Sequence, residues 1–272
     1  MNNFSYERIE HSCKILHLDL SASELANIAS DNDMSTAQLN ALDYVLDYLR
    51  EKKEIATVEM IMKTSRLPSK NPKTFDNFDF SAIKGKPAEI ERLKNLRTLS
   101  AIHSHRNLAF IGPAGTGKTH LAQAFGYECC QQGLKTYFIK MSELRDRFTN
   151  ARKNDKVSSV LNGLVRPSCL IIDEIGHCVF DRENTRLFFD LMDRRYNKEG
   201  SFNVIFTSNK VPALWKDNFE EDDALLCALD RVFDEATVFT FKGQSFRGKK
   251  LETVNLETSR VASPSSSNTI SE

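Results

Sequence analysis

The octet Gly112-Pro113-Ala114-Gly115-Thr116-Gly117-Lys118-Thr119 reads G-x-x-x-x-G-K-T, an arrangement of residue types suited to holding a phosphate chain. Glycines let the backbone wrap a phosphate closely, so several N–H groups point inward. Lys118 then reaches the β- and γ-phosphates, and the Thr119 hydroxyl binds Mg²⁺. The start of a following helix adds a field that favours anions. Here an apolar run, Asn107–Ile111, precedes the octet and a helical stretch follows it, a context that a bare glycine turn lacks. The expected ligands are therefore ATP and Mg²⁺.

A second run, Cys169-Leu-Ile-Ile-Asp-Glu174, is apolar and ends in two carboxylates. Many strands end in polar residues, but this one follows the phosphate loop with one strand between them. Asp173 is then placed to hold the metal shell and Glu174 to polarise an attacking water. The third run, Asn203–Asn209 (NVIFTSN), ends in Thr207, Ser208 and Asn209. An amide there can sit beside the carboxylates and hold the water; alone, it would read as a helix-capping asparagine. Two arginines flank the last apolar run, Arg231 before it and Arg247 after it. Arginine near a γ-phosphate neutralises charge that develops in the transition state. An arbitrary arginine is more often in a surface ion pair.

These residues need a scaffold. Short apolar runs alternate with amphipathic stretches: Asn107–Ile111, Thr136–Lys140, Cys169–Asp173, Asn203–Thr207 and Thr237–Phe241 as strands, with helices at Lys118–Gln131 and Glu183–Asn197. That alternation predicts an α/β fold with a parallel sheet flanked by helices. Upstream, Ala88–Leu99 has helical spacing through Ile90, Leu93, Leu96 and Leu99. Further upstream, Ser21 with Glu24 and Ser35 with Gln38 are capping-box patterns that start helices. Leu39, Leu42, Leu46 and Leu49 follow on one face of a helix running towards Arg50–Lys53. The expected organisation is a small helical domain over 1–66, a proline-containing linker over 67–74, a nucleotide domain over 75–251 and a disordered serine-rich tail over 252–272.

Lysines plus arginines equal aspartates plus glutamates, 37 each, so total charge does not advertise a nucleic acid. Binding depends on local charge, however, and Arg145, Arg147, Arg152 and Lys153 cluster just after Lys140. The six cysteines form no CxxC pair and read as reduced, packed thiols; His177 beside Cys178 lacks further ligands at zinc spacing. The polar N-terminus is unlike a signal peptide, and no run of about 18 apolar residues is present. A cytoplasmic protein without membrane contact is expected.

From about Phe75 to Lys250 the chain resembles the IstB family, helper ATPases of bacterial insertion-sequence transposons that are related to DnaC-type helicase loaders. The resemblance rests on Ile171–Tyr196 (IIDEIGHCVFDRENTRLFFDLMDRRY), then Thr207-Ser-Asn209, Trp215, Leu229-Asp-Arg231 and Gly243-Gln-Ser-Phe-Arg247. It implies an AAA+ P-loop core that forms a homo-oligomer on double-stranded DNA, largely regardless of sequence, and recruits a cognate transposase. It further implies that Asn209 is the sensor 1 residue, Arg231 an arginine finger and Arg247 the sensor 2 residue. By the same resemblance Lys140, Arg145, Arg147, Arg152 and Lys153 face DNA. Only 31 residues follow Phe241, so the helical lid of most AAA+ proteins is expected to be reduced. A helicase loader is the near alternative. A small-molecule P-loop kinase would need an acceptor pocket, and a non-hydrolysing scaffold would have no use for Lys118, Asp173 and Glu174.

Overall fold

The computed structural model describes residues 5–220, 232–233, 236–243 and 245. The N-terminal helices are α1 (Tyr6–Leu16), α2 (Ala22–Asp31) and α3 (Thr36–Thr64). Both serine capping boxes form: Ser21 and Ser35 each accept from the backbone N–H three residues on, and Glu24 and Gln38 reach back. These exchanges satisfy amide donors that a helix start otherwise leaves without partners. Ile9, Cys13, Leu25 and Leu46 form a small core between these helices.

Helix α3 runs past Lys53 to Thr64, longer than its leucine stripe implies. Leu39 and Leu46 are buried, but Leu49 is exposed, because the far half of α3 has left the small core. At 29 residues the helix spans about 43 Å, and its last turn places Ile61 in the core of the sheet domain. The carbonyl of Ser65 there accepts from Phe138 N–H on the sheet's edge strand at 2.8 Å.

Five strands follow, β1 (Leu108–Ile111), β2 (Thr136–Lys140), β3 (Cys169–Ile175), β4 (Asn203–Ser208) and β5 (Thr237–Thr240). They form one parallel sheet in the order β2-β3-β4-β1-β5. Helix α6 (Lys118–Gln131) covers one face, and α7 (Met141–Lys153), α8 (Val157–Val165) and α9 (Arg182–Tyr196) cover the other. Covering both faces is why β1, β3 and β4 read as unbroken apolar runs. Their side chains still alternate. Leu108, Phe110, Cys169, Ile171 and Ile205 join α6 in one core, while Ala109, Ile111, Leu170, Ile172, Val204 and Phe206 join α7–α9 in the other.

Between the N-terminal helices and β1 lie α4 (Pro87–Lys94) and α5 (Ser100–His103). The helical spacing over Ala88–Leu99 holds for burial of Leu93, Leu96 and Leu99, but the chain tightens into a 3-10 turn at Asn95–Thr98 and Leu99 is left-handed. Arg195 of α9 is fully buried and donates to five backbone carbonyls, those of Leu164, Val165, Pro167, Ser168 and Asn203. One planar guanidinium thereby ties the loop entering β3 to the start of β4. Among the described residues no helix is long and apolar enough to cross a membrane. The five described cysteines are free thiols, and no cluster of three potential metal ligands occurs among the described residues.

Candidate functional site

The loop Gly112–Thr119 joins the C-terminal end of β1 to the N-terminus of α6, so strand, loop and helix dipole are aligned on one point. Gly112 and Gly117 have φ of 149° and 90°, in the region that favours glycine. A Cβ would also lie 2.4 Å from the Phe241 carbonyl oxygen at Gly112 and 2.7 Å from the Phe78 ring at Gly117. The loop is thus gripped by β5's continuation and by the segment before α4. Within it, Thr116 Oγ1 donates to Pro113 O at 2.9 Å and Lys118 Nζ to the same oxygen at 2.7 Å. Lys118 is only 6% exposed, its ammonium tucked under the loop that it would serve.

Thr119 Oγ1 donates to Asp173 Oδ1 at 2.9 Å, bringing together across the end of the sheet the two residues expected to hold the metal. Thr207 Oγ1 on β4 donates to the same Oδ1 and accepts from the Glu174 backbone N–H at 3.0 Å. Burial pushes the Asp173 carboxyl above its ordinary value, opposed by these two hydroxyl hydrogen bonds; Glu174 adds to the rise and Lys140 counters it. A hydroxyl and a carboxylate oxygen form the hard donor set that suits Mg²⁺, and a bound cation would relieve the cost of burying that charge. The residues present therefore fit the ion.

The β3–β4 pairing explains why two adjacent acids have different surroundings. Register runs Ile172↔Phe206 and then Ile175↔Ser208, so β3 carries one extra residue. The slip coincides with Glu174, whose φ is 62°. A non-glycine residue there costs on the order of 1–3 kcal/mol. The bulge separates the two carboxylates: Asp173 is buried against Thr119 and Thr207, whereas Glu174 is half-exposed, with Oε2 3.6 Å from Lys140 Nζ. Thr207 holds both sides of the bulge. From the sequence Thr207 is named only as part of the strand end Thr207-Ser-Asn209 and has no role of its own, because its partners lie on another strand.

Asn209 follows β4 beside the phosphate loop, since Ile111 pairs with Ser208 and Gly112 N–H donates to Ser208 O at 3.1 Å. Its amide nitrogen lies 3.2 Å from His177 Nε2. Arg231 and Arg247 lie outside the described residues. A cavity of about 1070 Å³ opens from Thr116 between the segment before α4 and β5, lined in part by Ile83, Ile90, Leu93 and Phe239.

The basic cluster does not form one patch. Lys140 sits by Glu174, and Arg145 pairs with its neighbour Asp146. Arg147 turns to the other side of α7, donating to the Tyr137 hydroxyl, whose ring also carries Arg66. Arg152 binds Asp181 and Asn184 at the start of α9, and Lys153 is exposed.

The sheet order, the phosphate loop between β1 and α6, and the acidic pair ending β3 define an AAA+ P-loop domain. Residues 10–253 match the family of IstB-like ATP binding proteins. The chain belongs to that IstB family of insertion-sequence proteins. The ATP-binding protein of insertion sequence IS5376 from Geobacillus stearothermophilus is 35% identical over 89% of this chain and 94% of its own length. That of IS232 from Bacillus thuringiensis is 30% identical over 90% and 96%. The fold is shared with the crystal structure of the DnaC helicase loader, at a TM-score of 0.51 and 17% identity over 62% of this chain and 97% of that one. It is shared also with DnaA from Aquifex aeolicus bound to AMPPCP, at a TM-score of 0.52 and 22% identity over 65% and 52%.

Proposed function

We propose that the chain is a Mg²⁺-dependent ATPase that assembles in several copies on double-stranded DNA and recruits or stimulates a cognate transposase in the cytoplasm. The observation that carries the catalytic part is the hydrogen-bonded chain Thr119–Asp173–Thr207–Glu174, which joins the phosphate loop to the Asp173 carboxylate and, through Thr207, to the Glu174 backbone N–H. The insertion-sequence relatives support a transposition helper over a helicase loader.

In this reading the backbone of Gly112–Thr119 cradles the phosphates and Lys118 neutralises them. Thr119 and Asp173 hold Mg²⁺, which supplies charge neutralisation at the phosphates. Glu174 takes a proton from the attacking water, and Asn209 orients that water. The cavity beside Thr116 has the size for a nucleoside, being close to the volume of ordinary ligand pockets. Arg231 serves the ATP of a neighbouring subunit, and Arg247 that of its own. Lys140 contacts the DNA backbone from the end of β2, and Arg145, Arg147, Arg152 and Lys153 from several sides of α7, rather than as one patch. Residues 1–66 form a helical unit, 67–74 a connection and 75–251 the ATPase domain; the tail expected over 252–272 lies outside the described residues.

The test is Glu174→Gln. It should bind ATP as the wild type does while turnover falls at least about a hundredfold, as expected for losing a general base. Wild-type turnover in that variant would sink the assignment. Transposase recruitment is tested by ATP-dependent co-retention of the transposase on immobilised DNA; equal retention without this protein would refute it.

A further inference from the structure

The hydrogen bond between His177 and Asn209 joins a residue with no assigned role to a residue beside the phosphate loop, and the loops on either side of it are anchored to one another. After β3 the chain turns sharply through Glu174 and Gly176, at φ of 62° and 94°. His177 N–H then returns to Glu174 O at 3.3 Å, so the imidazole follows directly from the acidic pair. The partner loop is fixed to this turn at several points. Ser208 Oγ donates to Ile175 O at 2.7 Å and accepts from Lys210 N–H and the Trp215 indole. Asn218 Nδ2 donates to Cys178 O at 3.1 Å, while its Oδ1 accepts from Lys210 Nζ at 3.1 Å. Lys210 packs so closely on Gly176 that a Cβ there would lie 3.1 Å from Lys210 Cδ. Two exposed side chains meeting by chance would not have both backbones locked to each other on either side of the contact.

We propose that His177 is the positioning residue for Asn209: its Nε2 accepts from Asn209 Nδ2 and thereby fixes which end of the amide the nucleotide meets. The reading rests on the hydrolytic role proposed for Asn209. An asparagine amide is ambiguous by rotation, because exchanging Oδ1 and Nδ2 exchanges acceptor for donor. A neutral imidazole protonated on Nδ1 has an acceptor at Nε2, so it engages only the nitrogen end. The carbonyl end and the second N–H are left for the water and the phosphate. Without the imidazole the amide spins between two orientations, one of which offers the wrong group. His177 touches neither nucleotide nor metal in this scheme; it acts through Asn209.

The experiment uses the full-length protein in five forms: wild type, His177→Phe, His177→Gln, Asn209→Ala and the His177→Phe/Asn209→Ala double variant. His177→Phe keeps the ring's bulk and removes the acceptor, and kcat should fall about tenfold, the size of one hydrogen bond to a reacting constellation. KM and the affinity for a fluorescent ATP analogue should stay within about twofold, since uniform binding is untouched. His177→Gln, which supplies an amide oxygen acceptor, should recover most of the rate. The double variant should be no slower than Asn209→Ala alone, because two residues acting through one group do not add. A second readout is independent of hydrolysis: the ¹⁵N shifts of His177 should report the Nδ1–H tautomer in wild type and move towards Nε2–H in Asn209→Ala. Wild-type kcat in His177→Phe, multiplying effects in the double variant, or an Nε2–H tautomer in wild type would each overturn the proposal. If wild type does not hydrolyse ATP, the catalytic reading fails instead, and the tautomer measurement still decides the contact.

Discussion

Replacing Thr207 with valine removes one hydroxyl, keeps the β-branched shape and deletes both hydrogen bonds that brace the β3 bulge. Thr207 is 1% exposed, so water does not readily replace what is lost. The donation to Asp173 is to a carboxylate and contributes about 1.5–3 kcal/mol; the bond from Glu174 N–H, between neutral groups, contributes about 1 kcal/mol. Against this, Glu174 would be released from its left-handed conformation, which recovers on the order of 1 kcal/mol. The two smaller contributions cancel and the charged bond remains, leaving a net loss of about 1.5–3 kcal/mol. For a domain of this size that lowers Tm by roughly 5–10 °C. Urea denaturation gives the free energy and steady-state phosphate release gives the rate, which should fall about tenfold or more because Glu174 is no longer held at the bulge. Thr207→Ser, which keeps the hydroxyl, should regain most of both. Stability within about 0.5 kcal/mol of wild type together with unchanged kcat in Thr207→Val would refute the bracing argument.

Gly117→Ala combines a left-handed backbone with a Cβ 2.7 Å from the Phe78 ring, so the loop must shift; ATP-induced thermal stabilisation should disappear, and retention of the wild-type shift would contradict the close packing. Burial, with Arg195 nearby, lowers the Lys198 amine from 10.5 to about 8, so its protonated form is disfavoured in the fold and that penalty lifts as pH rises from about 8 towards 10.5. Relative to Lys198→Met, the wild type should therefore gain stability across that window in urea titrations; a parallel pH dependence would contradict the shift.

The parts of the site that sequence reveals are those specified by local chemistry. The phosphate loop is legible because glycine, lysine and threonine at fixed spacing have one physical use between a strand and a helix. The capping boxes at Ser21 and Ser35 are legible because both partners lie within four residues. What escapes is set by neighbours in space. The bulge at Glu174 exists only relative to β4, so nothing in Cys169–Glu174 announces that β3 carries an extra residue. Thr207 acquires both of its partners, the Asp173 carboxylate and the Glu174 N–H, from that bulge. Likewise Leu49 continues a leucine stripe but is exposed, since it lies beyond the small core that Leu42 and Leu46 share with α1 and α2. The basic residues after Lys140 cluster in sequence, yet a helix turns Arg147 away from Arg145, and acids on neighbouring elements take up others.

Lys140 illustrates how the two readings of one residue can be separated. Its ammonium stands 3.6 Å from Glu174 Oε2, with the two side chains 47% and 44% exposed. A pair that open to solvent contributes less than about 1 kcal/mol. It can bias the position of Glu174 without fixing it, and a competing anion can displace it at little cost. A DNA phosphate is such an anion. One ammonium would then serve alternately, restraining Glu174 when DNA is absent and contacting the backbone when DNA is bound. Lys140→Ala should accordingly raise DNA-independent hydrolysis about two- to fivefold, the factor corresponding to less than 1 kcal/mol of lost restraint. It should also lower the slope of log affinity against log salt by about one, the signature of a single phosphate contact. The two halves fail separately. An unchanged basal rate means that the ion pair does not restrain Glu174, and an unchanged slope means that Lys140 does not meet DNA. A lower basal rate would reverse the argument altogether, because it would make Lys140 a helper of Glu174 rather than a restraint on it.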